Sequence, residues 1–329
     1  MLRTMFTLRF DLRAPDFGAP IRELYAAAIE MAEWGERRGC IAAIVSEHHA
    51  SPDGYLPSPL LLAGAIAART SRLPIQVAAL LVPLHDPIAL AEEMAVLDIL
   101  SGGRVSYVCA IGYRAEEYAM FGRAMKGRGR RLEECVAALR RAWSGEPFEF
   151  EGRPVRVTPR PATPGGPLLL MGGNSELAVR RAARLGMGML TQGGDASLEA
   201  IYRAACEEAS TQPGMFINPP ASTVTSGFVA EDPDRAWAEL GPYLLHDARM
   251  YAEWMGASAA ASKSSASSVE ALRAENGPYR IFTPDEAVAY VRAHGVFLAQ
   301  PLCGGMPPEL AWPSLELLVD RVQPVIAAG

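Results

Sequence analysis

Apolar and polar positions along this 329-residue chain alternate between two periods. Residues 3–10 read as a strand, and residues 20–38 follow with Ile21, Leu24, Ala28, Met31 and Ala32 at helical spacing before Gly39 breaks the run. The same pairing recurs as strands 41–46, 74–82 and 104–109 with helices 58–70, 87–100 and 131–143. Residues 147–158 break the pattern as a surface hairpin, and a Pro/Gly-rich connector follows. Alternation resumes with strands 168–171, 188–191 and 223–229 and helices 175–185, 197–209 and 233–254, the last expected to be interruptible at Gly241-Pro242. Residues 256–268 are Ser/Ala-rich and poor in bulky apolar side chains, which predicts a mobile loop. Strand 295–301 and helix 312–326 bring the count to eight strand-helix units.

Short apolar strands followed by helices imply a parallel sheet with right-handed crossovers. Eight such units predict a single α/β domain over residues 1–329, a (β/α)8 TIM barrel with a hairpin insertion before the fifth strand and a mobile loop before the eighth. No G-x-G-x-x-G follows the first strand, which disfavours a dinucleotide-binding doubly wound sheet.

Composition narrows the function classes. A formal charge of −6 and the absence of a basic stripe argue against a general nucleic-acid binder. Arginine and lysine cluster only at residues 123–131, a pattern that reads as a solvated helix start, with an anion-binding loop as the alternative. Five widely spaced cysteines without a C-x-x-C pair favour reduced thiols, a cytoplasmic location and no zinc site. The first ten residues lack a signal-peptide core, and no apolar run approaches the roughly 18 residues of a membrane span.

Candidate chemistry sits where strands end. The run Ile41–Val45 terminates in Ser46-Glu47-His48-His49, which places a carboxylate and two imidazoles at the C-terminal edge where barrels carry their sites. Neighbouring strand residues point to opposite faces, so one histidine is expected to face a pocket, and His48 is the choice; a structural pair of hydrogen-bonded histidines is the bland alternative. Glu47, His49, His85 and Gly304 are weaker candidates for the mouth, Gly304 because the glycines of PLCGGMPP admit close approach of a flat ligand. Asp86 before Pro87 is read as a helix N-cap. Gly172-Gly173-Asn174-Ser175 turns from a strand into a helix and suits a phosphate, or serves simply as a capped turn. No Ser-His-Asp order, nucleophile elbow or H-E-x-x-H occurs, and no metal site is expected. A barrel with imidazoles at its mouth and an anion-binding turn suits a phosphorylated cofactor that performs the hard chemistry.

The chain resembles the bacterial luciferase-like family of flavin-dependent monooxygenases and oxidoreductases. The resemblance runs through SEHH at 46–49, LHDPIALAEEMAVLDILSGGR at 84–104, RGRRLEECVAALRRAW at 128–143, EFEGR at 149–153, GGNSELAVRRAARLG at 172–186 and PLCGGMPPELAWPSLELL at 301–318, six motifs in the family's order over nearly the whole chain. It implies a TIM barrel, often dimeric, that binds reduced FMN delivered by a separate flavin reductase and uses oxygen to oxidise a small-molecule substrate. One branch of the family uses a deazaflavin coenzyme for hydride transfer instead, and a flavin-binding barrel without turnover is a further alternative. On this resemblance His48 is the proton donor or acceptor beside the flavin. Ala78-Ala79 is the strand position that bulges against the flavin ring, sometimes through a non-prolyl cis peptide. Gly112 closes the fourth strand beside the cofactor, and Gly173, Asn174 and Ser175 form the phosphate turn. The chain departs from the family in carrying Ala110 and Ile111 before Gly112, where luciferases have a cysteine and a phosphate-binding arginine, while Cys109 stands one position away.

Overall fold

The computed structural model describes residues 5–255 and 263–328. In chain order the elements are β1 (Met5–Phe10), α1 (Ile21–Glu36), β2 (Cys40–Val45), α2 (Pro59–Arg69), β3 (Ile75–Leu80), α3 (Pro87–Ser101), β4 (Val105–Cys109), α4 (Ala115–Met120) and α5 (Arg128–Ala142). They continue with β5 (Phe148–Phe150), β6 (Arg153–Val155), β7 (Leu169–Gly172), α6 (Glu176–Arg184), β8 (Gly188–Leu190), α7 (Ser197–Glu208), β9 (Phe216–Ile217) and β10 (Ser226–Val229). The last are α8 (Pro233–Met255), α9 (Val269–Glu275), β11 (Tyr279–Phe282), α10 (Pro284–His294), β12 (Val296–Ala299), α11 (Pro308–Leu317) and α12 (Gln323–Ala328). This is the expected α/β alternation of a (β/α)8 chain, with the hairpin β5–β6 antiparallel as predicted.

Local chemistry sets the element ends. Asp86 caps α3 by accepting from the Ile88 and Ala89 N–H groups, Pro87 occupies the first helical position, and Gly102 ends the helix in the left-handed conformation. Pro242 does not interrupt α8, which runs unbroken for 23 residues. Five elements escaped the sequence reading: α4, β9, α9, β11 and α10. The Tyr279–Phe282 strand is only four residues long, so it shows too little alternation to be recognised, and α9 and α10 flank it. Thr283 and Glu286 cap α10 reciprocally, a start signal of Thr-x-x-Glu type present in the sequence. Two-residue β9 is shorter still.

The chain divides into two compact units. One comprises residues 45–50 and 57–219. Here β3, β4, β7, β8 and β9 run parallel in that spatial order, so their C-terminal ends share an edge. Residues 51–56 belong with the second unit, in which β11, β10, β12, β1 and β2 are neighbours in that order and the register pairs Leu8 with Ala299 and Ser226 with Tyr279.

That second unit buries an ionic cluster. Arg13, 0% exposed, donates through Nε to Asp247 Oδ1 at 2.7 Å and through Nη1 to Asp53 Oδ2 at 2.8 Å. Its guanidinium lies 4.7 Å from the Tyr55 ring centre and 4.3 Å from that of Trp254. Arg9 and Arg13 face three carboxylates, Asp11, Asp53 and Asp247, and His246 stands 2.8 Å from Asp53 as a further basic group. Burial, followed by the charge of Asp247, pushes Asp11 up to about 8. Burial also opposes the charge on Asp53, but His246, Arg13 and Ser51 outweigh it and hold Asp53 below the usual carboxylate range.

The segment predicted as a mobile loop is described in its second half only. Residues 256–262 lie outside the described residues. Ser264 and Ser265 donate to the Glu275 carboxylate, and Ser268 caps α9 through the Ala271 N–H, so this half of the segment is tied to a helix. The short hydroxyl side chains that weaken apolar packing supply these hydrogen bonds.

Candidate functional site

The β2 strand ends at Val45, and the four residues that follow carry the polar groups foreseen there. His48 and His49 diverge to different partners although neither lies in the strand itself. His48, 7% exposed, directs Nδ1 to Glu117 Oε1 at 2.8 Å and Nε2 to the Tyr113 hydroxyl at 3.1 Å. A carboxylate accepts only, so Nδ1 carries a proton, and in the tautomer that leaves Nε2 bare this nitrogen accepts from the Tyr113 O–H. Tyr113 meets the imidazole edge-on, with ring centres 5.3 Å apart, and is itself 38% exposed.

Glu117 is fully buried in the first turns of α4. Its Oε1 also accepts from the His49 N–H at 3.0 Å and lies 3.5 Å from Arg114 Nη1, which donates to the His49 carbonyl at 2.6 Å. The Glu117 side chain therefore fixes both the backbone after β2 and the ring of His48.

Glu47 organises the other histidines. Its Oε1 accepts from His49 Nε2 and from His85 Nε2, each at 2.8 Å, while Oε2 accepts from the Leu81 N–H at 2.6 Å. Burial by itself would raise this carboxyl, yet the hydrogen bonds from His49 and His85, the charge of His85 and the Leu81 N–H bring it down to about 2. Burial lowers His85, but its bond to Glu47 and the charges of Glu47 and Glu93 carry it above the ordinary imidazole range. Glu47 and His49 are thus internal struts. The His49 ring is closed off further by Phe121, 4.7 Å away in an edge contact.

The irregularity anticipated in β3 is present. The Ala78–Ala79 peptide is cis, and pairing with β4 slips between Ala78 and Leu80. Ser46 Oγ donates to the Ala78 carbonyl at 2.8 Å and ties the bulge to the segment that bears His48. Gly112, with φ of 68°, follows β4, and its carbonyl accepts from Arg128 Nε at 3.3 Å.

Beyond Gly112, the basic run lines a pocket. A cavity of about 220 Å³ is bounded by Pro83, Tyr118, Arg123, Lys126, Arg128, Arg130 and Arg131, with one carboxylate, Glu134, 3.5 Å from Arg130 Nε. The first turn of α5 carries arginines and no acidic residue, the reverse of what the helix dipole favours. An anion in that pocket would meet cations and the helix's positive end together. The alternative reading of residues 123–131, an anion-binding loop, thus gains a cavity that a plain solvated face lacks.

At the end of β7, Ser175 caps α6 by accepting from the Ala178 N–H, which is the structural role foreseen as one alternative. Asn174 Oδ1 is buried without a hydrogen-bond partner. Such an acceptor suits a hydroxyl donor of a bound ligand. Gly173 has no room for a side chain, because a Cβ there would come within 2.8 Å of the Ala178 Cβ. Gly304 is in the second unit and buried; a Cβ there would fall on the Tyr243 carbonyl, so close backbone packing alone accounts for the glycine.

Sequence reasoning missed Tyr113, Arg114 and Glu117. Tyr113 directly follows Gly112 at a strand's C-terminal end, a position that was readable. Glu117 fell in the stretch read as a loop between strand 104–109 and helix 131–143, and nothing local connects it to His48.

The family description of luciferase-like monooxygenases matches residues 7–289. The oxygenase component of the flavin-dependent trigonelline monooxygenase of Acinetobacter baylyi is 32% identical over 133 residues, covering 40% of this chain and 37% of that protein. The chain spans about half the length, or less, of the first curated relatives it matches. Among solved structures, monooxygenase RslO1 from Streptomyces bottropensis superposes with a TM-score of 0.73 at 22% identity, covering 98% of this chain and 99% of that one. The oxygenating constituent of 3,6-diketocamphane monooxygenase from Pseudomonas putida, in complex with FMN, gives 0.70 at 21% identity with the same coverage. At these identities the superpositions establish a shared fold.

Proposed function

Because this chain belongs to the luciferase-like monooxygenase family, we propose that it is a flavin-dependent monooxygenase that takes reduced FMN from a separate reductase and uses oxygen to oxidise a small organic substrate. The observation that carries this reading is that His48, the bulged Ala78–Ala79 peptide and a basic pocket all lie within one unit. The residues present fit FMN. The small side chains of Ala78 and Ala79 leave space for a flat ring, and the buried Asn174 Oδ1 offers an acceptor to a ribityl hydroxyl. Arg123, Lys126, Arg128 and Arg130 would hold the phosphate in place of the arginine missing at position 111. Bound reduced flavin supplies the electrons that activate oxygen. The protein contributes orientation, exclusion of water, and proton transfer at His48 Nε2.

Two further expectations belong to this reading. Leu61 on α2, with Val96, Ile99 and Leu100 on α3, forms exposed apolar surface on two helices of the same unit, which supports a homodimer. The five cysteines are free and buried, which supports a reducing, cytoplasmic setting, and no described helix is long and apolar enough to cross a membrane.

Anaerobic titration separates the cofactors. Reduced FMN should quench protein fluorescence saturably where a reduced deazaflavin does not, and admitted oxygen should be consumed in step with oxidation of a candidate substrate. Preference for the deazaflavin would select the hydride-transfer branch, and FMN binding without turnover across a substrate panel would select a flavin-binding barrel.

A further inference from the structure

We propose that Tyr113 is the outer member of a proton relay, Tyr113–His48–Glu117, in which the phenol hydroxyl carries protons between His48 Nε2 and the reacting group, and Glu117 is a positioning residue. The inference rests on the monooxygenase reading for the identity of that reacting group, while the hydrogen-bond chain stands on geometry. His48 is nearly buried, whereas Tyr113 is more than a third exposed and bonds to the nitrogen that is left as acceptor once Nδ1–H is committed to Glu117. Tyr113 is therefore the more exposed member of the chain.

The step balances as follows. An acid at the site loses a proton to the Tyr113 oxygen as the Tyr113 O–H proton passes to Nε2, so one bond to hydrogen breaks and one forms at each transfer, with no net electron transfer. The imidazolium that results keeps its Nδ1–H bond to Glu117, whose negative charge stabilises it. Reversal delivers the proton outward. Tyrosine ends unchanged, so its high ordinary pKa of about 10 is no obstacle to a concerted passage. His49 is outside the relay because its Nε2 is committed to Glu47 and its ring to Phe121. The reciprocal arrangement of buried carboxylate, oriented imidazole and terminal hydroxyl is the same logic by which other enzymes orient a histidine toward a hydroxyl group.

Tyr113→Phe keeps the ring and its edge contact and removes only the hydroxyl. Its kcat with reduced FMN should fall roughly tenfold to a hundredfold, with KM for substrate and the flavin Kd little changed. Glu117→Gln should lower kcat and move the acidic limb of its pH profile downward, because the imidazolium loses its negative partner. The flavin-free protein gives a separate readout. In ¹⁵N-labelled wild type, His48 should be protonated on Nδ1, and Tyr113→Phe should move the Nε2 resonance toward that of an unbonded nitrogen. A His48 protonated on Nε2, an unmoved Nε2 resonance, or an unchanged kcat in Tyr113→Phe overturns the relay. A wild type that neither binds reduced FMN nor consumes oxygen overturns the monooxygenase reading instead, and the tautomer then decides the relay alone.

Discussion

His48 Nδ1 and Glu117 Oε1 meet at 2.8 Å although 69 residues separate them in the chain. One comes from the end of β2 and the other from the short helix after β4. The carboxylate selects the imidazole tautomer and holds the ring in one orientation, which presents Nε2 to the Tyr113 hydroxyl.

Replacing His48 by Ala should therefore lower turnover by about a hundredfold or more, while reduced FMN still binds. Oxygen-uptake kinetics paired with flavin titration measures both. Turnover at the wild-type level would refute the role given to His48.

The basic pocket should matter to phosphate and not to the ring. Arg128→Ala and Arg130→Ala are each expected to weaken FMN binding by about tenfold, the loss of a hydrogen bond to a charged group. Riboflavin, which lacks the phosphate, serves as control. Equal loss for both flavins would move the phosphate elsewhere.

The pair Glu47 and His85 sets a pH window for stability. Glu47 titrates at about 2 when folded against an ordinary 4.5, so its contribution is present above pH 4.5 and is lost as pH falls toward 2. His85 is raised above 6.5, so its contribution is complete below pH 6.5 and is lost as pH climbs through its folded value. The wild type should exceed His85→Gln in denaturant stability most between pH 4.5 and 6.5, with the gap narrowing at higher pH. A gap that widens with pH would contradict the assignment.

Arg13 anchors a cluster of the opposite kind. Arg13→Met leaves Asp53 and Asp247 buried without their cation, and should cost about 3–5 kcal/mol in chemical denaturation. Asp11 folds as the protonated acid, at about 8 against 3.8, so stability falls as pH rises between those values. Asp11→Asn should flatten that slope by up to one proton; an unaltered slope would show that the proton resides elsewhere.

A homodimer through α2 and α3 predicts that Leu61→Glu combined with Leu100→Glu yields a monomer in light scattering with an unchanged circular dichroism spectrum. A dimer that survives both charges would place the interface on another face.

Much of this protein was written in its one-dimensional pattern. The alternation of short apolar runs with helical spacing identified eight strand-helix units and a hairpin, because burial on both faces forces strands to be continuously apolar and amphipathic helices to be periodic. SEHH at a strand end singled out His48, and Asp86-Pro87 announced a helix start, since both signals are local. The roles of Glu117, Tyr113 and the cations at 123–131 were not local. Their side chains acquire meaning only through neighbours distant in sequence: Glu117 through the His48 ring, Arg128 through the Gly112 carbonyl, and Arg13 through Asp53 and Asp247. Hydrogen bonds act over about 3 Å, so which of 37 acidic residues meets which imidazole or guanidinium was decided by the tertiary structure alone.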